Sequence, residues 1–259
     1  MTMANRVLKT LAAAVAVAGF GIGAAQAAGD AKHPKEVDWE HAGPFGTFDR
    51  HSVQRGFQVY QQVCASCHGM KYVAFRNLES VGFSEEQVKA IAAGYTITDG
   101  PDDSGEMFDR EGKASDYFPE PFPNDKAAAA ANGGVAPPDL SLMSKARPNG
   151  DNYVYSVLTG YGEGEGDEHH CPPTAYPNAY FAGGCIAMPP PLSDDLVEYA
   201  DGTAASTEQM AHDVTAFLAW AAEPKMEERK QLGWKVVLFL VALSILLYLA
   251  KRQIWGRLH

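Results

Sequence analysis

Basic charge is what this 259-residue sequence is shortest of: 21 lysines and arginines stand against 32 aspartates and glutamates, a formal net charge of -11. Nucleic acid, which binds through neutralised phosphates, is therefore not an expected partner. Cysteine is scarce, with four residues, and Cys64 and Cys67 have no second Cys/His pair at zinc-ligand spacing, so a structural zinc site is not expected. No internal repeat is visible, and no segment alternates apolar and polar residues convincingly over the length of a strand, which removes repeat architectures and argues against an all-β fold. The acidic excess is gathered largely in two clusters, Asp99, Asp102, Asp103, Glu106, Asp109 and Glu111, then Glu163, Glu165, Asp167 and Glu168. Such runs are by default solvated loops, but a negative outer surface also steers a basic soluble protein toward it.

What is present begins at the ends. Arg6 and Lys9 precede an uncharged stretch over residues 11–26, and Ala25-Gln26-Ala27 has the small-x-small pattern that signal peptidase reads, predicting export and cleavage after Ala27. A retained N-terminal anchor fits less well, because Gly19, Gly21 and Gly23 interrupt a run already short for a bilayer of roughly 30 Å. At the other end residues 236–250 are apolar apart from Ser244, with Trp234, Lys235 and Tyr248 as interfacial edges, and residues 233–254 are long enough to span. Lys251, Arg252 and Arg257 follow with no acidic residue beyond them, so the positive-inside rule places His259 in the cytoplasm and the body of the protein outside. Ile245, Leu246, Leu247 and Leu249 coat every side of this helix, whereas a core helix of a small domain keeps a polar face.

Between the termini the pattern is helical. Val53, Phe57, Tyr60 and Val63 recur at helical spacing over residues 48–64, and Met210, Val214, Phe217 and Ala221 do so over residues 207–223. Ser206 and Gln209 are set as a capping box for the latter, and Pro224 ends it. A shorter helix is expected over residues 153–158. The Gly- and Pro-rich connections 94–138 and 160–191 read as long loops that need something to wrap, and the alanines at 127–131 as one helical turn or a spacer.

Cys64-Ala65-Ser66-Cys67-His68 is the C-x-x-C-H sequence that attaches c-type haem. The spacing has a chemical reason: two thiols add to the two vinyl groups, and the adjacent imidazole falls under the iron as axial ligand. A thioredoxin-like pair would sit in a βαβ unit, which this sequence does not show. For the sixth iron position Met70 is too close to His68 to reach the opposite face, leaving Met107, Met143, Met188, Met210 and Met226. Met188 stands out because Pro189, Pro190 and Pro191 stiffen the chain behind it; a bis-histidine site would instead use His169 or His170. Cys171 and Cys185 remain as an even pair in an oxidising compartment, and a disulfide between them is expected, closing a loop of about 15 residues and contributing about 3 kcal/mol.

Several separated stretches together resemble the cytochrome c1 family, the haem subunits of the cytochrome bc1 complex (quinol:cytochrome c oxidoreductase): GPFGTFDRHSVQRGFQVYQQVCASCHGM, KYVAFRNL, APPDLSLMSKAR, NYVYSVLTGY, IAMPPPLSDDLVEYADGT and FLAWAAEPKMEERK. The resemblance implies that Cys64 and Cys67 form the thioethers of one covalent haem c, with His68 and Met188 as axial ligands. It also places Arg147 and Tyr153 beside the haem propionates and Pro138 by the haem ring. Partners follow in the same way: cytochrome b and the Rieske iron–sulfur subunit in the membrane, and a soluble or tethered cytochrome c as acceptor. Residues 94–135 do not match the family pattern, and Cys171 and Cys185 lie outside its most general form.

The expectation is an all-α, cytochrome c-like haem domain with long loops and one transmembrane helix. Residues 1–27 form the cleaved signal, 28–230 the periplasmic domain, 231–254 the anchor in the bacterial inner membrane, and 255–259 a cytoplasmic tail. Its work is one-electron transfer, as a redox subunit rather than an enzyme by itself. A solitary tethered shuttle is the alternative, and a gas-binding module requires an open iron, which a bound Met188 closes.

Overall fold

The computed structural model describes residues 31–163 and 171–257. The expected cleavage site at Ala27, the alternative ligands His169 and His170, most of the second acidic cluster and His259 lie outside those residues. Helix α1 (Arg50–Gln62) starts at Asp49, whose carboxylate accepts from the backbone N–H of His51. A 3-10 turn over Cys64–Ser66 and a 3-10 helix over Phe75–Val81 lead to α2 (Glu85–Ala93). Strands β1 (Thr96–Asp99) and β2 (Phe108–Glu111) pair antiparallel, Thr96 opposite Glu111. Helices α3 (Asp125–Ala131), α4 (Met143–Ala146) and α5 (Gly150–Thr159) follow, then the two-residue strands β3 (Tyr176–Pro177) and β4 (Cys185–Ile186), which pair antiparallel. Helices α6 (Thr207–Ala222) and α7 (Met226–Trp255) complete the chain.

The two long helices expected from apolar spacing form within two residues of their expected ends and pack on each other. Helix α1 turns Val53, Phe57 and Tyr60 inward, and α6 meets them with Met210, Val214, Phe217 and Trp220. Phe118 and Phe75 join this cluster with ring centroids 4.3 Å apart. The helices approach so closely at Gly56 that an added Cβ would strike the carbonyl oxygen of Asp213 and come within 2.8 Å of the Phe217 Cβ. Gly56→Ala is therefore expected to lower stability by about 1–3 kcal/mol through overpacking, as measured by denaturant unfolding; an unchanged midpoint would mean that the crossing opens freely.

A buried polar knot ties the same crossing. Asp213, fully enclosed, accepts from Ser52 Oγ (2.7 Å), Arg55 Nε (2.8 Å) and Nη2 (3.0 Å), and Gln209 Nε2 (3.1 Å), while Arg55 also pairs with Asp201 at 2.9 Å. This knot changes the expected cap of α6. Ser206 Oγ accepts from Gln209 N as expected, but the Gln209 amide reaches forward to Asp213 instead of back to Ser206, so the capping box is half made.

Some structure is beyond the expectation. The loop region 94–138 holds the β1–β2 hairpin, whose Arg110 pairs with Asp99 and Asp116, and α3, started by the Asn124 side chain on Ala127 N. The chain remains mainly helical, and each pair of strands is too short to generate a period-2 signal. Helix α2 leaves little apolar signal in the sequence because only Val88 and Ala92 of its nine residues are buried; a full Ser84–Gln87 capping box sets it.

Helix α7 is one continuous rod from the domain into the apolar stretch. Its most apolar window has a mean hydropathy of 2.3 with no residue buried, long and apolar enough to cross a membrane, which fits a single-pass membrane protein. Its first turns are fastened to the domain: Arg50 pairs with Glu227 (2.7 Å), which also accepts from Phe48 N (2.9 Å). Lys230 Nζ donates to the carbonyls of His41 (2.7 Å) and Gly46 (3.0 Å). Glu223, at the joint after α6, accepts from Lys145 and from Arg229.

Candidate functional site

The C-terminal end of α1 delivers the two attachment thiols. Cys67 N and His68 N both donate to Cys64 O, at 3.1 and 2.9 Å, so the chain coils tightly and sets the thiols and the imidazole on one short turn. Neither thiol is in a disulfide, and both are half-buried. Burial, with the neighbouring Cys67, pushes the Cys64 thiol up to about 12, the opposite of the depressed value that makes a redox cysteine reactive.

His68 Nδ1–H donates to the carbonyl of Pro138 at 2.7 Å, which fixes the tautomer and leaves the Nε2 lone pair for a metal. Burial lowers the basicity of this imidazole, outweighing the Pro138 carbonyl and nearby Asp139, so the ring is neutral and able to ligate. Residues 138–141 are stitched alongside: Leu140 N donates to Gly69 O (2.9 Å), Lys71 N to Asp139 Oδ2 (2.9 Å) and Tyr72 N to Ser141 Oγ (3.1 Å). Pro138, expected by its place beside the ring, thus acts on His68 through its carbonyl. Asp139, which sequence reasoning missed, holds the segment that presents it.

The methionines separate by environment. Met107 is exposed on the β1–β2 connection, Met70, Met210 and Met226 are buried in the main core, and Met143 packs against that core. Met188 belongs to a second apolar cluster, with Val157, Tyr180 and Ile186 buried and Tyr153, Tyr161 and Phe181 beside it. Tyr153 on α5 touches both clusters and so stands between them. The Met188 carbonyl accepts from Tyr161 Oη at 3.0 Å, a contact that no spacing announces, although Tyr161 ends the stretch NYVYSVLTGY. Upstream, Cys171 and Cys185 form the expected disulfide, Cα to Cα 5.6 Å, and Asn178 secures the β3–β4 turn to Val157 O at 2.8 Å. Arg147 lies exposed at the end of α4, donating to Ala146 O at 3.1 Å, and makes no hydrogen bond with Tyr153 among the described residues.

These residues fit a covalently held haem. Two free thiols and a neutral imidazole sit on one turn, a thioether sits in a separate apolar cluster, and an aromatic side chain bridges the two regions.

The Cytochrome C1 family model matches residues 39–258. Cytochrome c1 of Rhodospirillum rubrum is 50% identical, with 98% of both chains covered. The mitochondrial cytochrome c1-2 heme protein of Solanum tuberosum is 51% identical over 88% of each chain. A cytochrome b/c1 of Bradyrhizobium diazoefficiens is 48% identical over 87% of this chain and 36% of its own length. The chain belongs to the cytochrome c1 family, whose members carry a covalently bound c-type haem and serve as the electron-transferring haem subunit of the cytochrome bc1 complex.

Proposed function

We propose that this chain receives single electrons from a Rieske iron–sulfur subunit and passes them to a cytochrome c, in a complex that also contains cytochrome b. The observation that carries the reading is the His68 turn: thiols, imidazole tautomer and Pro138 carbonyl form one preorganised ligand set. Cys64 and Cys67 would hold the haem, and His68 and Met188 would supply the donors to its iron. Tyr153 and Arg147 would lie toward the propionates, where a guanidinium would offset charge that is costly to bury alone. The bound haem supplies a one-electron iron couple, and the protein supplies ligands, a dry pocket and a docking surface. No acid, base or nucleophile is needed, so the chain is a redox subunit of quinol:cytochrome c oxidoreductase and not an enzyme alone. The fused cytochrome b/c1 relative supports cytochrome b as the neighbour.

In this reading residues 1–27 are removed on export, 28–230 form the haem domain on the periplasmic side of a bacterial inner membrane, 231–254 cross it and 255–259 lie in the cytoplasm. An optical reduced-minus-oxidised spectrum of protein purified in mild detergent tests the assignment. Co-purifying b- and c-type bands, both reduced by quinol, are expected; a c-type band alone that ignores quinol would instead establish a solitary tethered shuttle.

Tyr161 has a place in the same reading, holding the backbone of Met188. Tyr161→Phe removes a hydrogen bond worth about 1 kcal/mol. At ~59 mV per tenfold change for one electron, this lowers the midpoint potential by at most about 40 mV. Equal potentials in redox titration, with an unaltered methionine–iron charge-transfer band, would show the hydroxyl to be idle.

A further inference from the structure

Among the described residues Phe45 is the most exposed of the large apolar side chains, at 73%, although it lies in a tightly built loop. Ala42 N donates to Trp39 O (2.9 Å) and Thr47 N to Glu40 O (3.1 Å), Gly43 takes φ +68°, and Lys230 grips the loop through the His41 and Gly46 carbonyls. The exposed Phe45 is therefore held out by fixed backbone and does not dangle. Its ring packs edge-to-face on Trp234 of α7, centroids 5.8 Å apart.

The height of Trp234 follows from helix geometry. At about 1.5 Å per residue α7 rises roughly 30 Å between Trp234 and Trp255, which matches a hydrocarbon core of ~30 Å. The two indoles then lie at opposite interfaces, where tryptophan concentrates, and Lys251 over the Trp255 ring at 4.6 Å marks the far one. A side chain stacked on Trp234 cannot stand clear of the bilayer. The tip Gly43-Pro44-Phe45 carries no charge, and Leu232, also exposed, sits within the same stretch of helix.

We propose that residues 43–46 form a second membrane contact, with Phe45 seated among the lipid acyl and headgroup boundary beside Trp234. This rests on α7 crossing the bilayer, which the same experiment tests separately. With Cys64 and Cys67 bonded to haem in the proposed reading and Cys171 joined to Cys185, Phe45→Cys gives this chain one free thiol for a nitroxide label. Electron paramagnetic resonance power saturation, with oxygen and with a water-soluble nickel chelate, then reports its surroundings in the complex reconstituted into lipid nanodiscs. Labels at Val241→Cys on α7 and Lys89→Cys on the exposed face of α2 serve as lipid and water references. The label at 45 should be relaxed by oxygen several-fold more than by nickel, and the adjoining Pro44→Cys should agree, guarding against local distortion at either site. Relaxation by nickel as at position 89 would overturn the proposal, and shielding from both agents would assign the loop to a protein neighbour and overturn it equally. A nickel-relaxed label at 241 would instead refute the span itself.

Discussion

Met188→Leu is expected to lower the haem midpoint potential by roughly a few hundred millivolts, well inside the ~0.8 V over which axial ligands set it, and to let carbon monoxide bind the reduced protein. The effect should be large and local. Leucine keeps most of the volume of methionine, so the cluster of Val157, Tyr180 and Ile186 stays filled while the sulfur donor is lost. The backbone at 188 is retained independently, by Tyr161 on its carbonyl, by three prolines after it and by the Cys171–Cys185 disulfide before it. Spectroelectrochemical titration reads the outcome, and an unchanged potential with no carbon monoxide adduct would remove Met188 as the ligand.

Arg55→Met should have the largest effect on stability, about 3–5 kcal/mol, because it strands a fully buried carboxylate. Burial alone would push the Asp213 carboxyl up, but His212, Arg55, Ser52 and Gln209 together hold it below the usual carboxylate value. A carboxyl depressed in the folded state stabilises fully above its unfolded pKa of ~3.9, and that contribution fades as pH falls through the folded value. Asp116 and Asp201 are likewise held at about 2, by Arg110 in the first case and by the Thr203 backbone and Arg55 in the second. The native protein should therefore keep its fold until pH falls below about 4 and lose it toward about 2, whereas Arg55→Met should unfold at higher pH. Circular dichroism across an acid titration checks both; superimposable curves would mean that Asp213 does not depend on Arg55. Adding Asp213→Asn to Arg55→Met should recover part of the loss, since no charge is then left buried.

Features governed by local spacing were legible in the sequence. The apolar faces of α1 and α6 follow the helical period, and the C-x-x-C-H spacing of Cys64, Cys67 and His68 is a local signal that folds into one tight turn. Met188 is marked in the sequence by the three prolines behind it and by the resemblance, and the structure sets it apart from the four other candidate methionines, in the second apolar cluster. Contacts across space were not legible. Gly56 reads as a weak point in a helix until the Asp213 carbonyl is seen against it. Tyr161 reads as an ordinary core aromatic until its hydroxyl meets Met188. The exposed Arg147 guanidinium donates to the Ala146 carbonyl, a contact that no spacing announces. The span expected over residues 231–254 lies inside α7, which starts earlier, at Met226, because Glu227 and Lys230 find partners in the 41–50 segment that extend the helix through polar turns.

Those partners also decide how the domain can move. Arg50 on Glu227, Lys230 on two carbonyls, Glu223 on Lys145 and Arg229, and Phe45 on Trp234 leave no swivel between the globular body and its stalk. A body so mounted keeps one height and one azimuth above the bilayer, and its redox centre cannot swing to meet a partner. In the proposed electron path, travel would then belong to the carriers on either side, and the distance each covers would be set by how far this fixed station stands from the membrane.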